Sequence, residues 1–371
     1  MTESLAAVFD GTAGKIALRR LPTPRPHAGE ILVRVTGCTL CGSDLHSFSG
    51  RRTVPVPTVL GHEIVGEIIA VGDQEEQRDL AGRALQVGDH VTWAIVAHCS
   101  SCFYCQNGLP QKCLRGVKYG HEALRPGREL LGGLAEHCLL TPGTALVRLP
   151  DDLPLAVACP AGCATATIAA AMEAAHHSRS DARFERLAVF GAGMLGLTAC
   201  AMARSLGVGQ IVCIDPVPER RQRALAFGAT RAVAPEDFAA VAAATASDFG
   251  FDAVLELSGS SAAFDAAWPA LRVGGTLVLV GAVFPGPPAT APIEQFVRRC
   301  LTIRGVHNYA PRHLLTAVDF LAAQHHHFPF VDLVTQWFPL TEIAAAFSAS
   351  EHQAAIRIGV DPTGAVAASA R

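Results

Sequence analysis

The sequence predicts a two-domain α/β protein: a β-barrel-like domain, then a doubly wound parallel sheet, then a last segment that returns to the barrel. Three observations carry this. The first 150 residues read as short strands punctuated by glycine and proline. From about residue 186 to 306 strands alternate with helices, the mark of a parallel sheet covered on both faces. At 371 residues the chain exceeds what one hydrophobic core usually fills.

Composition excludes several classes. Half the residues are hydrophobic and 17% are charged, which fits a well-packed chain and not a disordered one. A net charge of -3 and a pI near 6.6 leave no basic footprint for nucleic acid. No apolar run approaches the roughly 18 residues of a membrane span. Met1-Thr2-Glu3-Ser4 lacks the charged and apolar regions of a signal peptide, so a cytoplasmic location is expected. Twelve cysteines would be many for disulfides in that compartment, and their spacing points to metal instead. Cys38, Cys138, Cys159, Cys200, Cys213 and Cys300 lie mostly in apolar stretches and read as buried thiols.

Taken in order, residues 5–9 and 16–20 form a hairpin turned by Gly11 and Gly14, and Ile31–Val35 is the next strand. Cys41-Gly42-Ser43-Asp44-Leu45-His46 and Gly61-His62-Glu63 follow, a thiol and an imidazole set among acids and a hydroxyl. Zn²⁺ favours this mixture of soft sulfur and borderline nitrogen, and a catalytic zinc takes three protein ligands with a fourth position open. His62 and Glu63 begin a strand ending near Val71, and Val87-Gly88-Asp89-His90-Val91 begins another. The polar stretch Asp73–Gly82 between them is expected to be a surface loop. Cys99, Cys102, Cys105 and Cys113 are spaced C-x2-C-x2-C-x7-C, which supplies four thiolates to a closed, structural zinc site. An iron–sulfur run of the ferredoxin kind would have a shorter last spacing and a proline after it.

Cys159 and Cys163 both stand where a third ligand of the first site would be needed. Pro160 biases Cys159 towards an extended backbone, whereas Cys163 opens a small-residue helix running to about Ala175, which favours Cys163. Leu187–Phe190 is a buried strand, followed by Gly191-Ala192-Gly193-Met194-Leu195-Gly196 and an apolar helix. Gln210–Ile214 is the next strand, and Asp215 closes it. A G-x-G-x-x-G run alone is weak; between strand and helix, with an acid ending the next strand, it is a dinucleotide fingerprint. Its glycines let the backbone approach a pyrophosphate at a helix N-terminus. Asp215 would accept the adenosine ribose hydroxyls and repel a 2'-phosphate, favouring NAD over NADP. Arg220 and Arg221 nearby read as a solvated helix face. Strands at 252–256, 275–281 and 300–306, and a helix at 261–271, continue the alternation. Helices near 312–323 and 341–349 and a strand around Arg357 follow. His325-His326-His327 reads as a solvated turn, and the alanine-rich tail after Pro362 as fraying.

Together these motifs resemble the zinc-binding medium-chain alcohol dehydrogenase family over essentially the whole chain. The resemblance implies a GroES-like catalytic domain over 1–164 and 308–371, with a Rossmann NAD-binding domain over 165–307. It implies two Zn²⁺ per chain and NAD. Cys41, His62 and Cys163 would hold the catalytic zinc, and Cys99, Cys102, Cys105 and Cys113 the structural one. Glu63 would lie beside the metal as an exchangeable ligand, and Asp44 would orient His62. Ser43 would start a proton relay, through the cofactor ribose, to His46. Gly191, Gly193, Met194, Leu195, Gly196, Asp215, Thr167 and Arg357 would bind the cofactor, Arg357 at its pyrophosphate. Zinc as a Lewis acid would favour the alkoxide of an alcohol that passes its hydride to the nicotinamide. A small-molecule alcohol or aldehyde is the expected partner, in a homodimer or homotetramer, with neither nucleic acid nor membrane.

Within that family the chain is similar to dehydrogenases associated with phosphonate catabolism. The shared stretches are Cys38–His46 with Arg51-Arg52, and Ala158–Thr165. Arg51 and Arg52 would then meet an anionic substrate, since a guanidinium fork suits phosphonate oxygens. The rival readings are a zinc-free quinone or enoyl reductase, a non-enzymatic NAD-binding protein, and a lyase or isomerase that recycles NAD. The complete thiol and imidazole set argues against the first two; the third would show turnover without net NADH.

Overall fold

A computed structural model describes residues 3–73, 77–176, 184–246, 249–351 and 356–364. Its packing divides the chain into two compact units: Met1–Ala166 with Ala310–His325 and Phe330–Arg371, and Thr167–Tyr309 with His326–Pro329.

The first unit opens with β1 (Glu3–Phe9), β2 (Ala17–Pro22), β3 (Ile31–Leu40), α1 (Gly42–Phe48), β4 (Thr58–Val59), β5 (Glu63–Val71) and β6 (His90–Trp93). It continues through β7 (Val96–Ala97), α2 (Phe103–Gln106), β8 (Val117–Lys118), β9 (His137–Leu140), β10 (Leu146–Arg148) and α3 (Leu155–Ala158), and α4 (Ala164–His176) leads out of it. The second unit alternates β11 (Arg186–Phe190), α5 (Met194–Ser205), β12 (Gln210–Ile214), α6 (Pro218–Ala226), β13 (Arg231–Val233) and α7 (Phe238–Ala246). β14 (Phe251–Glu256), α8 (Ser261–Ala270), β15 (Leu271–Leu279), α9 (Ile293–Arg298) and β16 (Thr302–Gly305) complete it. The chain then returns to the first unit with α10 (Pro311–Gln324), β17 (Val334–Pro339), α11 (Ile343–Ser350) and β18 (Arg357–Asp361).

β3 is the hub of the first unit. Its apolar residues are buried along nearly its whole length, and it pairs antiparallel with β5, β9 and β18. The register sets Thr39 opposite Glu63 and Leu40 opposite Ile358. The end of β3 and the starts of β5 and β18 therefore meet at one edge of the sheet, and Cys41, Glu63 and Arg357 meet with them. Beneath lies a core built around Ile31, Val33, Ile68, Leu134, Leu139 and Phe347.

In the second unit six parallel strands run in the order β13-β12-β11-β14-β15-β16. The order reverses between β11 and β14, the position where open α/β sheets bind ligands at their carboxyl ends. Phe190 and Phe238 meet edge to face and Phe238 and Phe251 stack in the core of this unit, with ring centroids 4.9 and 6.0 Å apart.

Some expectations are corrected. Cys159 is helical, with φ -55 and ψ -47, despite Pro160; burial of the whole Val157–Gly162 segment outweighs the local steric bias. Val87, Gly88 and Asp89 make a turn, because Gly88 takes φ +98 and the Asp89 carboxylate accepts the Gln86 N–H, so the strand begins only at His90. Cys300 is exposed, whereas the other five cysteines read as buried thiols are indeed buried. β13 and β17 escaped the sequence reading because both are short and β17 is largely solvent-facing without a clean alternation. The tail after Gly364 lies outside the described residues. Among the described residues no single helix is long and apolar enough to cross a membrane.

One glycine of the fingerprint tests the packing of the second unit. A Cβ on Gly196 would lie 1.8 Å from the Gly191 carbonyl oxygen, a backbone atom that cannot swing away. Gly196→Ala is expected to cost about 3 kcal/mol or more of stability. Urea unfolding of the full chain checks this, and an unchanged midpoint would contradict so close a packing of α5 on β11.

Candidate active site

Cys41 caps α1 with an extended backbone at φ -91 and ψ 158, and Asp44 sits in that helix's first turn. The Asp44 carboxylate is 1% exposed and fully used. Oδ2 accepts the Cys41 N–H at 3.0 Å, while Oδ1 accepts the Gly61 N–H at 3.1 Å and lies 3.2 Å from Nδ1 of His62. Gly61 takes φ +90, and a Cβ there would come within 2.8 Å of the Cys38 sulfur. The turn into β5 therefore needs glycine. With Nδ1 committed to Asp44, Nε2 of His62 is left as the ligand-capable nitrogen.

Cys163 follows the 3₁₀ turn Cys159–Gly162 and directly precedes α4. The ligand atoms of Cys41, His62 and Cys163 all lie within 4.8 Å of one another. Cys159, the alternative ligand, stays fully buried outside this trio, and burial pushes its thiol well up.

The charges within the trio are strongly coupled. A hydrogen bond from Cys163 leads the causes that bring the Cys41 thiol well below its ordinary value, with Arg357 and His62 adding to it against burial. That same bond, with burial, pushes Cys163 well up. Burial would lower His62, but the charge and hydrogen bond of Asp44, with Cys41, push it up to about 10. Cys41 is thus the sulfur that gives up its proton, while Cys163 and the imidazole hold theirs. Two thiols and one imidazole are the donor set that zinc prefers, and three such ligands leave a fourth position open. The residues present fit a catalytic zinc.

The Glu63 carboxylate is held by two neighbours next to the trio. It accepts the Thr39 hydroxyl at 2.6 Å and Nε and Nη2 of Arg357 at 2.8 and 2.9 Å. Burial raises the Glu63 carboxyl, and Arg357 opposes that. Arg357 was expected at a cofactor pyrophosphate. Here its Nη1 bonds the Ile356 carbonyl at 3.0 Å and its Nη2 lies 3.7 Å from the Cys41 sulfur. Its visible work is to neutralise Glu63 and bias Cys41 towards thiolate.

The proposed relay residues lie on α1. The Ser43 hydroxyl is 3.2 Å from Nε2 of His62, and His46 stands three residues on, on the same helix face. Burial, then the charge of Arg51, brings His46 below its ordinary value.

The four-cysteine lobe is assembled by two short turns, α2 and the 3₁₀ turn Pro110–Lys112. Cys102 lies 3.5 Å from Cys105 and 3.9 Å from Cys113, sulfur to sulfur. These bracket the ~3.8 Å edge of a tetrahedron with Zn–S near 2.3 Å. They far exceed the ~2.05 Å of a disulfide. The backbone N–H of Ser101 and the Arg115 guanidinium bring Cys99 down to about 5. The lobe fits a closed structural zinc.

In the second unit, Gly191 follows β11 at φ +99 and Gly193 caps α5 with open space where a Cβ would stand. Met194, Leu195 and Gly196 form the first turn of that helix. Asp215 is buried, its Oδ2 accepting the Ala192 N–H at 2.7 Å and its Oδ1 the Val217 N–H at 2.8 Å. The acid therefore ties the fingerprint loop to the end of β12. Arg221, read as a solvated face, instead gives Nη1 to the carbonyls of Asp215 and Pro216 at 2.8 and 2.9 Å. Thr167 lies one turn beyond Cys163 on α4, in the second unit.

Sequence reasoning missed three participants. Thr39 orders Glu63, His121 places its ring 5.2 Å from the ring of His62, and Glu256 closes β14 by accepting the N–H groups of Ser258 and Gly259. None has a spacing signal, because each partner is supplied by strand register or by a neighbouring loop.

Residues 27–151 match the family described as Alcohol dehydrogenase GroES-like domain, and residues 195–323 the one described as Zinc-binding dehydrogenase. Geraniol dehydrogenase of Castellaniella defragrans is 31% identical over 95% of this chain and 96% of its own. L-threonine 3-dehydrogenase of Anaeromyxobacter dehalogenans is 33% identical over 77% and 78%. The crystal structure of an alcohol dehydrogenase from Thermotoga maritima superposes with a TM-score of 0.88 at 27% identity, covering 97% of this chain and all of that one. By sequence over nearly its full length, and by a fold of GroES-like and Rossmann-like parts, the chain belongs to the zinc-binding medium-chain alcohol dehydrogenase family.

Proposed function

We propose that the chain is a zinc-dependent alcohol dehydrogenase that uses NAD. The observation that carries this is the convergence of Cys41, His62 and Cys163, with ligand atoms within 4.8 Å of one another. When bound, zinc would supply Lewis acidity towards the substrate hydroxyl, and NAD would accept a hydride. The chain's own residues do the rest. Asp44 holds His62 in the tautomer that leaves Nε2 to the metal. Arg357 favours the thiolate of Cys41. Ser43, within hydrogen-bond reach of that Nε2, is placed to take a proton from the substrate hydroxyl and pass it towards His46, where burial and the charge of Arg51 favour its release onward. Gly191 and Gly193 expose backbone at the start of α5 for a pyrophosphate, and Asp215 offers its remaining lone pairs to ribose hydroxyls. The cluster Cys99, Cys102, Cys105 and Cys113 would carry a second zinc that holds its lobe. A homo-oligomer fits the exposed apolar residues of α9, Ile293 at 79% and Val297 at 72%.

The two metals are separable by mutation. Elemental analysis of the purified chain is expected to give two zinc per chain. Cys163→Ser should lose one of them together with activity and keep the fold, whereas Cys102→Ser should lower the melting temperature. Retention of full activity by Cys163→Ser would remove the catalytic-zinc reading.

Asp44→Asn should weaken zinc binding by roughly 10- to 100-fold, because the His62 imidazole loses its charged acceptor. Chelator competition at fixed pH reads this directly. The same titration in wild type should show tighter zinc as pH rises from 6 to 8, since protons on His62 and on the thiols compete with the metal.

For the cofactor, NAD should outperform NADP in kcat/KM, and Asp215→Ser should narrow the gap by tenfold or more. Equal use of both cofactors by wild type would sink the role given to Asp215.

A further inference from the structure

The mechanism leaves one end of the second unit without a role. At the amino ends of β14 and β15, opposite the strand ends that carry the fingerprint, α7 and α8 flank an open groove of about 540 Å³. Most of its lining is apolar: Phe238 and Ala242 from α7, Ala266 and Ala270 from α8, and Leu271 at the start of β15. Apolar clefts of about 300–1,000 Å³ hold small molecules, whereas a stable protein interface needs about 800 Å² from each partner.

Two guanidiniums share this lining, and both are anchored on the segment from Pro269 to Val273. Arg299 gives Nη2 to the Pro269 carbonyl at 3.2 Å and to the Leu271 carbonyl. Arg272 gives Nη1 to the Val273 carbonyl at 2.5 Å and Nε to the Asp252 carboxylate at 2.7 Å. Asp252 balances the charge of Arg272, while Arg299 has no acidic partner among the described residues. Arg272 also keeps a covered donor, Nη2, that bonds to nothing. An apolar groove thus carries one uncompensated positive charge and one unmet donor, a combination that costs free energy until an oxyanion meets it.

Phe249, on the rim, is 84% exposed and holds φ +80, a left-handed backbone that a bulky aromatic residue rarely adopts. Its turn is tightly seated. The Gly250 N–H reaches the Thr245 carbonyl at 3.0 Å, and a Cβ on Gly250 would come within 3.0 Å of the Arg272 nitrogen. Strain of this kind clusters at ligand clamps, where the surrounding structure holds it in place.

We infer that the groove between α7 and α8 binds a small amphipathic carboxylate, its apolar chain among the alanines and Phe249 and its carboxylate on Arg299 and Arg272. The planar guanidinium suits two carboxylate oxygens, and covering the exposed ring and alanines removes apolar surface from water. Such a site would operate whether or not the chain oxidises alcohols.

Calorimetry on the zinc-loaded full chain tests this, with octanoate, octanamide and acetate as probes. Octanoate is expected to saturate a site and to bind at least tenfold more tightly than either control. Arg299→Gln should weaken octanoate about tenfold and leave octanamide unchanged, and Arg299→Lys should recover part of the loss. Ala242→Phe should weaken octanoate tenfold or more by filling the groove, and it decides the matter if Arg299→Gln does not fold. Phe249→Gly should weaken octanoate while the urea midpoint holds or rises, because glycine adopts that φ without strain. Absence of saturable binding, equal affinity for octanamide, or octanoate binding that survives both Arg299→Gln and Ala242→Phe overturns the inference. So does binding that Cys163→Ser abolishes, which would put the carboxylate at the metal ligands. Octanoate binding that appears only on dilution to the monomer would assign the groove to a second copy and overturn it as well.

Discussion

A single buried carboxylate organises the first unit. Asp44 receives three N–H groups from two segments 17 and more residues apart in the chain, and so fixes α1 against the turn that opens β5. Without it, Cys41 would have no capped helix start and His62 no fixed tautomer. The cost of burying its charge is offset by charge-assisted bonds to every donor that approaches it. Cys41 and His62 are therefore held in place by the protein's own bonds, as a coordination site would require.

The second buried charge pair follows another logic. Glu63 and Arg357 are 294 residues apart in sequence and meet because β5 and β18 both flank β3. Removing one partner of such a pair costs ~3–5 kcal/mol, far more than an exposed pair contributes. The pair joins the first strands of the unit to the last one laid down, so the thiolate character of Cys41 depends on completion of the sheet.

The sequence was most informative where chemistry is local. Four cysteines within fifteen residues, and a glycine run between strand and helix, could be read from spacing because the elements that hold them are contiguous. The parallel alternation gave β11, β12 and β14 for the same reason. What stayed hidden was set by register. Nothing in the spacing of Thr39, Glu63 and Arg357 shows that they share one hydrogen-bonded cluster, and a family resemblance pointed Arg357 elsewhere. The conformation of Cys159 escaped because a nearest-neighbour preference was overruled by burial of the surrounding segment. The ribbon of β7 and β8 escaped because two strands of two residues each are too short to announce themselves.

The backbone contact between Gly120 and Gly61 has a consequence for how this scaffold can diversify. Both residues are pinned: neither has room for a side chain, and both hold a left-handed φ, at +75 and +90. The side chains on either side of that contact are under no such restriction. Position 118 can be exchanged without shifting the backbone that presents His62, and position 52 lies beyond the helix that presents Cys41. The backbone path into β5 is thereby fixed by two glycines, so that the side chains around it can vary in chemistry while the geometry that holds His62 is inherited intact.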